Sequence, residues 1–192
     1  MNAQRALRRP APARRASYRD VLDAPPHMVA EVVEGALHMQ PRPASRHALA
    51  GLSLGDELVS PFQKGRGGPG GWWIVVEPEL HFGEDIVVPD LAGWRREQMP
   101  DYPDVPYFTL APDWVCEILS PSTRKFDLEE KRPVYARESV GHLWFVDPGA
   151  KTLEAFALED GTWAPAGAAR NDEPVSFPPF EAVSFPLGAL WP

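Results

Sequence analysis

Several features common in other protein classes are scarce in this chain of 192 residues. Its only cysteine, Cys116, excludes an internal disulfide and any zinc site built from cysteines, and it fits a reducing compartment. No apolar run approaches the roughly 18 residues needed to span a bilayer. The sequence contains no internal repeat and no linker between two cores. These absences predict a soluble, cytoplasmic protein with no membrane partner.

The chain is rich in apolar residues, in the turn-forming residues proline and glycine, and in acidic residues. Its 44% apolar content, 23 prolines and 15 glycines predict a packed domain with many turns and few long helices. Residues 1–16 hold five arginines and no acid, so the formal charge of −8 leaves −13 on the rest. We predict a basic disordered tail over 1–17 and a single domain over 18–192. Such an acidic body repels phosphate backbones unless a basic patch or bound cations offset its field.

The periodicity of the apolar residues predicts a mixed order of helices and strands. We expect a short helix at 18–26, a hairpin at 27–40 turning at Glu34-Gly35, and a helix at 43–62 with Ser45 as N-cap and its end before Pro61. Strands follow at 71–83, 85–94 and 113–120, with a broken excursion at 95–112, a helix over 123–139 and three strands in 141–167. This order predicts a mixed α/β (α+β) fold with helices flanking one curved mixed sheet.

Two carboxylates stand where apolar strands would favour hydrophobic residues. Asp90 closes "IVVPD" and Glu117 interrupts "WVCEIL". An unpaired carboxylate is costly in a buried strand, so such groups are normally paired or bound to a metal. The alternative for each is a strand-end acid that reaches water or an arginine.

A helical stripe follows the second of these acids. Asp127, Lys131 and Tyr135 are spaced four apart and therefore share one helix face, while Pro133 falls on the opposite face. The alternative is a solvated Asp–Lys pair with Tyr135 packed in the core. Asp127 also suits an N-cap, with Glu130 completing a capping box.

These motifs together resemble a known family. "VVPD", "EILSPST", the stripe of Asp127, Lys131 and Tyr135, and "GHLWFVDP" are similar to the Uma-type restriction endonuclease family of the PD-(D/E)XK nuclease superfamily. The resemblance runs from about Asp20 to the C-terminus and includes the hairpin-then-helix start with His47. It implies a restriction-endonuclease-like core.

The resemblance also implies a metal site. In the superfamily, one acid and a following acid-x-lysine bind a divalent cation. Asp90 would be the first acid, Glu117 the second, and the carbonyl oxygen of Ile118 a further ligand. Leu119 stands where the lysine usually lies, so Lys131 would take its catalytic role from the helix. Candidates for lining the cleft are Glu34, His47, Asp127 and Tyr135, although Glu34 also suits a turn and His47 a helix surface or cap.

The implied activity is hydrolysis of phosphodiester bonds in double-stranded DNA with Mg²⁺, for which Mn²⁺ could substitute. Cutting both strands would favour a homodimer, whose interface could include aromatic residues near the long excursion: Trp94, Tyr102, Tyr107 and Phe108. Local packing would explain these aromatic residues equally well. Two other functions remain open: a catalytically inactive nuclease-like fold acting as a binding or assembly module, which Leu119 and the acidic body favour, and cleavage of RNA or a structured junction.

Overall fold

Short strands dominate the fold. The computed structural model describes residues 14–42 and 44–192. Its α-helices are α1 (Tyr18–Leu22), α2 (Ser45–Leu58), α3 (Arg124–Phe126) and α4 (Arg132–Arg137). Single π-helical turns at Val59–Gln63 and Asp127–Lys131 follow α2 and join α3 to α4, and a 3₁₀ turn spans Leu187–Leu190. The strands are β1 (Met28–Val33), β2 (Ala36–Pro41), β3 (Trp72–Val76), β4 (Leu80–Phe82), β5 (Asp85–Val87), β6 (Leu91–Arg95), β7 (Trp114–Ile118), β8 (His142–Asp147), β9 (Thr152–Glu159), β10 (Thr162–Arg170), β11 (Pro174–Val175) and β12 (Phe185–Pro186).

The larger sheet has six strands in the order β10-β9-β8-β7-β6-β3. Only β7 and β8 run parallel in it, and the helical segment 124–137 provides the crossover that a parallel pair requires. A second, antiparallel sheet has the order β2-β1-β5-β4, and β11 pairs with β12. The predicted mixed α/β fold is therefore confirmed.

Strand β7 is buried on both faces. Cys116 and Ile118 belong to an apolar cluster with α2 and the C-terminal residues, whereas Val115 and Leu119 belong to a cluster with α4. Because side chains alternate along a strand, Glu117 faces the same side as Val115 and Leu119. The strand therefore directs its one carboxylate towards the helical segment 124–137.

The predicted hairpin is confirmed. Strands β1 and β2 pair through the register Val33↔Ala36, and the turn residues Glu34 and Gly35 have φ of 53° and 77°. Such left-handed values at both positions are typical of two-residue hairpin turns. The next helix differs slightly from the prediction, because Ala44 is the N-cap residue and Ser45 is already helical. Pro61 lies inside the π-helical turn that continues α2.

The predicted strands at 71–83 and 85–94 are each interrupted. Glu77 has a φ of 47° and precedes a proline, so the first run divides into β3 and β4. Pro89 lies in the break that divides the second run into β5 and β6. Each run contributes to both larger sheets, so a smaller four-stranded sheet accompanies the expected large mixed sheet.

The excursion at 95–112 contributes to the core, contrary to its broken composition. Met99 and Phe108 are buried, and the Phe108 ring stacks on Trp94 with a centroid distance of 4.5 Å. Tyr107 stacks on His81 in the same way. Of the aromatic residues proposed for an interface, Trp94 and Phe108 are therefore used in local packing.

Most of the predicted basic tail, residues 1–13, lies outside the described residues. Within the described part, Arg14 pairs with Asp20 and Arg15 with Glu84. None of the described helices is both long enough and apolar enough to cross a membrane.

Candidate active site

The pairing of β6 with β7 brings the two predicted acids together. Leu91 pairs with Cys116, so the next position along each strand places Asp90 opposite Glu117. Asp90 Oδ2 accepts a hydrogen bond of 2.6 Å from the Ile118 backbone N–H. Both carboxylates line one cavity of about 280 Å³. Strand register alone thus explains why residues 27 positions apart share a site.

The helical segment 124–137 supplies a cation and a hydroxyl to Glu117. Lys131 Nζ lies 2.7 Å from Glu117 Oε1, and the Tyr135 hydroxyl donates to the same oxygen at 2.5 Å. Asp127 Oδ1 lies 3.9 Å from Lys131 Nζ. All four side chains are almost completely buried. The spacing of four along the helix therefore brings Asp127, Lys131 and Tyr135 to the strand that carries Glu117.

Asp127 is a helix-interior residue, not the predicted N-cap. Its backbone has helical φ and ψ of −63° and −44°, and the helical segment already begins at Arg124. The hydroxyls of Ser120 and Thr123 form the turn before that start. The capping-box interpretation is therefore wrong, and Asp127 instead lines the cavity.

Sequence reasoning missed one residue of the site, Glu31 on β1. Its side chain is 1% exposed, and Oε1 lies 3.0 Å from Lys131 Nζ while accepting a 2.8 Å hydrogen bond from the Val88 N–H. Its other oxygen accepts a 2.9 Å hydrogen bond from Gln40 Nε2. Glu31 interrupts the apolar run "MVAEVV" as Glu117 interrupts "WVCEIL". The criterion that selected Glu117 would have found it.

Lys131 uses its full donor capacity inside the protein. An ammonium group has three N–H donors, and three acceptors surround it. They are Glu117 Oε1 at 2.7 Å, Glu31 Oε1 at 3.0 Å and the Val88 carbonyl oxygen at 3.0 Å. In this state the lysine therefore acts as the cation that partly neutralises a buried group of acids.

Acid exceeds base in this cluster, which contains Lys131 and the carboxylates of Glu31, Asp90, Glu117 and Asp127. Burial raises the pKa of Glu117 well above its ordinary value, and the other carboxylates add to the rise although Lys131 opposes it. Burial likewise raises the pKa of Asp127 to about 6. For Lys131, burial would lower the pKa, but Glu117 and Glu31 outweigh it and raise the pKa. The cluster would therefore be stabilised by additional positive charge.

The remaining predicted cleft residues divide between two places. His47, on α2, lines the cavity with its Nε2 3.2 Å from Asp90 Oδ2. Burial would lower the pKa of His47, but the hydrogen bond to Asp90 and the nearby carboxylates reverse the direction and raise it. Glu34 is exposed at the hairpin turn, where its N–H donates to Asp85, and it does not line this cavity. Its position in the hairpin, three residues beyond the buried Glu31, directs it to solvent.

The cavity offers oxygen ligands of the kind that a divalent cation needs. Across residues 14–42 and 44–192, no three His, Cys, Asp or Glu side chains are arranged as a ready metal cage. Mg²⁺ needs fewer protein ligands, because it prefers oxygen and usually keeps several waters. Asp90 and Glu117 offer two carboxylates in a cavity with excess acid, and Ile118 lies beside both. This donor set fits Mg²⁺ or Mn²⁺.

Comparisons with known proteins identify a similar fold and a family. The crystal structure of a protein from Anabaena variabilis, described as "a putative nuclease belonging to DUF820", has a similar fold with a TM-score of 0.72. The two chains are 20% identical over 91% of this chain and 97% of the other, so the likeness concerns the fold. No curated protein matches the chain. The profile of the Uma2 family, described as "Putative restriction endonuclease", matches residues 15–188. The chain belongs to the Uma2 family.

Proposed function

We propose that this protein is a Mg²⁺-dependent endonuclease that hydrolyses phosphodiester bonds in double-stranded DNA. The observation that carries the proposal is the meeting of Asp90, Glu117 and Lys131 at one cavity, two carboxylates from paired strands and a lysine from the adjacent helix. The family's description as a restriction endonuclease and the nuclease description of the similar structure support the same reaction class.

In this proposal Asp90 and Glu117 hold the metal ion, and the carbonyl oxygen of Ile118 completes the protein ligands. When bound, Mg²⁺ or Mn²⁺ supplies Lewis acidity towards a phosphoryl oxygen and lowers the pKa of water. The two carboxylates are held in advance of binding: Ile118 N–H and His47 fix Asp90, while Lys131 fixes Glu117. Preorganisation of this kind avoids the cost of ordering the ligands when the substrate arrives.

Lys131 has two tasks in this proposal. It holds Glu117 and Glu31 in place, and it keeps a positive charge near the phosphate on which negative charge develops. All three of its N–H groups already donate hydrogen bonds to protein oxygens. To donate to the substrate, Lys131 must therefore give up one of these protein acceptors. Tyr135, which donates to the same oxygen of Glu117, maintains the position of that carboxylate.

Two further features belong to the proposal. A homodimer would place two such sites on one duplex, because a single site per chain cuts one strand at a time. A cytoplasmic location agrees with the single, buried and unpaired Cys116.

The test is cleavage of supercoiled plasmid DNA by the purified protein with millimolar Mg²⁺ or Mn²⁺. We expect the wild-type protein to nick the plasmid and Lys131→Ala to be inactive. Lys125→Ala should retain activity, because Lys125 lies on the same helical segment with its side chain 82% exposed. Equal activity in all three proteins would identify a contaminating nuclease. Inactivity of the wild type with both metals would overturn the proposal.

A further inference from the structure

Four exposed cations lie in or next to the segments that line the acidic cavity. They form what we call the basic rim, and its members are Arg42, Arg46, Arg124 and Lys151, all exposed. Of the four, Arg42 lines the cavity itself, and Arg46 and Lys151 line a neighbouring cleft. Arg46 directly precedes His47 in the chain, and Arg124 directly follows Thr123, and both neighbours line the cavity.

The rim extends to the β8–β9 turn, which carries Lys151. Arg46 and Lys151 line one neighbouring cleft of about 140 Å³, together with Trp191. Arg124 Nη1 lies 2.5 Å from Asp147 Oδ2, and the other oxygen of Asp147 accepts the N–H groups of Gly149 and Ala150, each at 2.9 Å. Asp147 thereby ties the start of the helical segment 124–137 to the turn that carries Lys151.

Among residues 14–42 and 44–192, three of the four rim cations lack a carboxylate partner, whereas Arg124 pairs with Asp147. Several arginines elsewhere do have carboxylate partners, as in Arg14–Asp20, Arg19–Asp23, Arg137–Asp85 and Arg170–Glu173. Within the described part of the chain, no carboxylate lies within ion-pair distance of Arg42, Arg46 or Lys151. Unpaired cations at the edge of an acidic cavity leave their charge available to an anionic partner.

We infer that the basic rim binds the phosphodiester backbone of duplex DNA on both sides of the phosphate that enters the cavity. The inference rests on the proposed function and assigns the substrate contacts that the acidic cavity lacks. Arginine and lysine are the side chains that contact DNA phosphates most directly, and these contacts position a duplex without reading its sequence. They would also oppose the repulsion from a body whose charge, without the first sixteen residues, is −13.

The test compares two double variants of matched charge. Arg46→Gln/Lys151→Gln removes one arginine and one lysine from the rim. Lys64→Gln/Arg66→Gln removes the same charges from the loop beyond the other end of α2, a helix about 21 Å long. Binding of a fluorescent duplex of about 20 base pairs is measured without divalent cations between roughly 50 and 200 mM salt. Without metal no cleavage is needed, so a catalytically inactive protein would still report on the rim.

We expect the rim variant to lower the slope of log K against log salt by about 1.8 in magnitude, since each lost phosphate contact contributes about 0.9. The loop variant should retain the wild-type slope. The inference is overturned if the rim variant keeps the wild-type slope, if both variants lose it equally, or if the wild type does not bind the duplex. Tighter rim-dependent binding of poly-glutamate would also overturn it, in favour of an acidic protein partner. Loss of plasmid cleavage with the expected slopes intact would count against the proposed reaction alone.

Discussion

At the scale of single residues, the buried acids depend on Lys131. Its ammonium contacts both Glu117 and Glu31, whose side chains are 2% and 1% exposed. Lys131→Met would leave two buried carboxylates without their cation, which typically costs about 3–5 kcal/mol. We expect this loss in the free energy of unfolding near pH 8. A smaller loss is expected near pH 5, where the raised pKa of Glu117 favours its neutral form.

Urea unfolding at both pH values measures this effect. Lys125→Met is the matched control, because its 3.9 Å pair with Glu129 is exposed and such pairs contribute under about 1 kcal/mol. If the two variants were equally stable at both pH values, Lys131 would not be neutralising the acids.

Asp127 should make stability depend on pH in the direction opposite to most carboxylates. Its pKa is raised to about 6 from 3.8, so the folded state binds the proton more tightly than the unfolded state. The folded protein therefore loses stability as the pH rises from about 4 to about 6, by roughly 3 kcal/mol in total. Asp127→Asn should remove this decline. Unfolding free energies of both proteins across that range are the measurement, and parallel pH profiles would contradict the raised pKa.

At the scale of elements, the β1–β2 hairpin positions the Glu31 side chain beside the helical segment 124–137. Glu31 reaches Lys131 from β1, and Gln40 on β2 holds the second oxygen of Glu31. We expect Glu31→Gln to slow cleavage by about 100-fold, because small displacements of a positioned group have effects of that size. The Mg²⁺ dependence of cleavage should stay as in the wild type, since Glu31 is not a proposed ligand.

The hairpin offers its own control for this experiment. Glu34→Gln changes an exposed turn residue of the same type and should leave cleavage unchanged. Initial rates of plasmid nicking at several Mg²⁺ concentrations separate the outcomes. A shift in the metal dependence of Glu31→Gln would make Glu31 a ligand, and equal rates in both variants would remove its positioning role.

The elements differed in how far sequence could predict them. The hairpin was predictable because Glu34-Gly35 is a strong local turn signal. The shared helix face of Asp127, Lys131 and Tyr135 follows from helix periodicity, which is a local property, whereas the meeting of Lys131 with Glu117 was implied by the family resemblance. The π-helical turn over Asp127–Lys131 was not predictable, because it depends on burial of both its end residues against other elements.

Non-local packing explains the other differences. The burial of Met99 and Phe108 in an irregular segment rich in proline reflects their contacts with distant strands, which composition does not report. The division of 71–83 and 85–94 between two sheets depends on the positive φ of Glu77 and on partners far along the chain. Glu31 could have been selected from its place in an apolar run, but its role depends on its contact with Lys131, which is far along the chain.

At the scale of the whole molecule, charge is arranged in two layers around one cavity. Excess acid lies inside, where Glu31, Asp90, Glu117 and Asp127 line the cavity with Lys131 and His47, and Arg42 of the basic rim lines it too. In our proposal the inner acids would hold a divalent cation and the rim would contact phosphates. Because the metal must displace the proton from Glu117, whose pKa is raised by burial, its affinity should rise with pH. Isothermal titration of Mg²⁺ at several pH values, with proton release measured from the buffer dependence of the heat, would detect this coupling, and a pH-independent affinity would contradict it.

The central claim, that Asp90 and Glu117 form a divalent-cation site, is tested most directly by metal-dependent stability. Thermal and urea unfolding of the wild type and Glu117→Gln, each with and without Mg²⁺, requires no knowledge of the substrate. At a hundredfold excess over the dissociation constant, Mg²⁺ should stabilise the wild type by about 2.7 kcal/mol and Glu117→Gln hardly at all. Without metal, Glu117→Gln should be at least as stable as the wild type, because burial and the surrounding carboxylates raise the pKa of Glu117 and make its charged form costly. A wild type indifferent to Mg²⁺, together with a destabilised Glu117→Gln, would contradict the claim and leave Glu117 as a structural partner of Lys131.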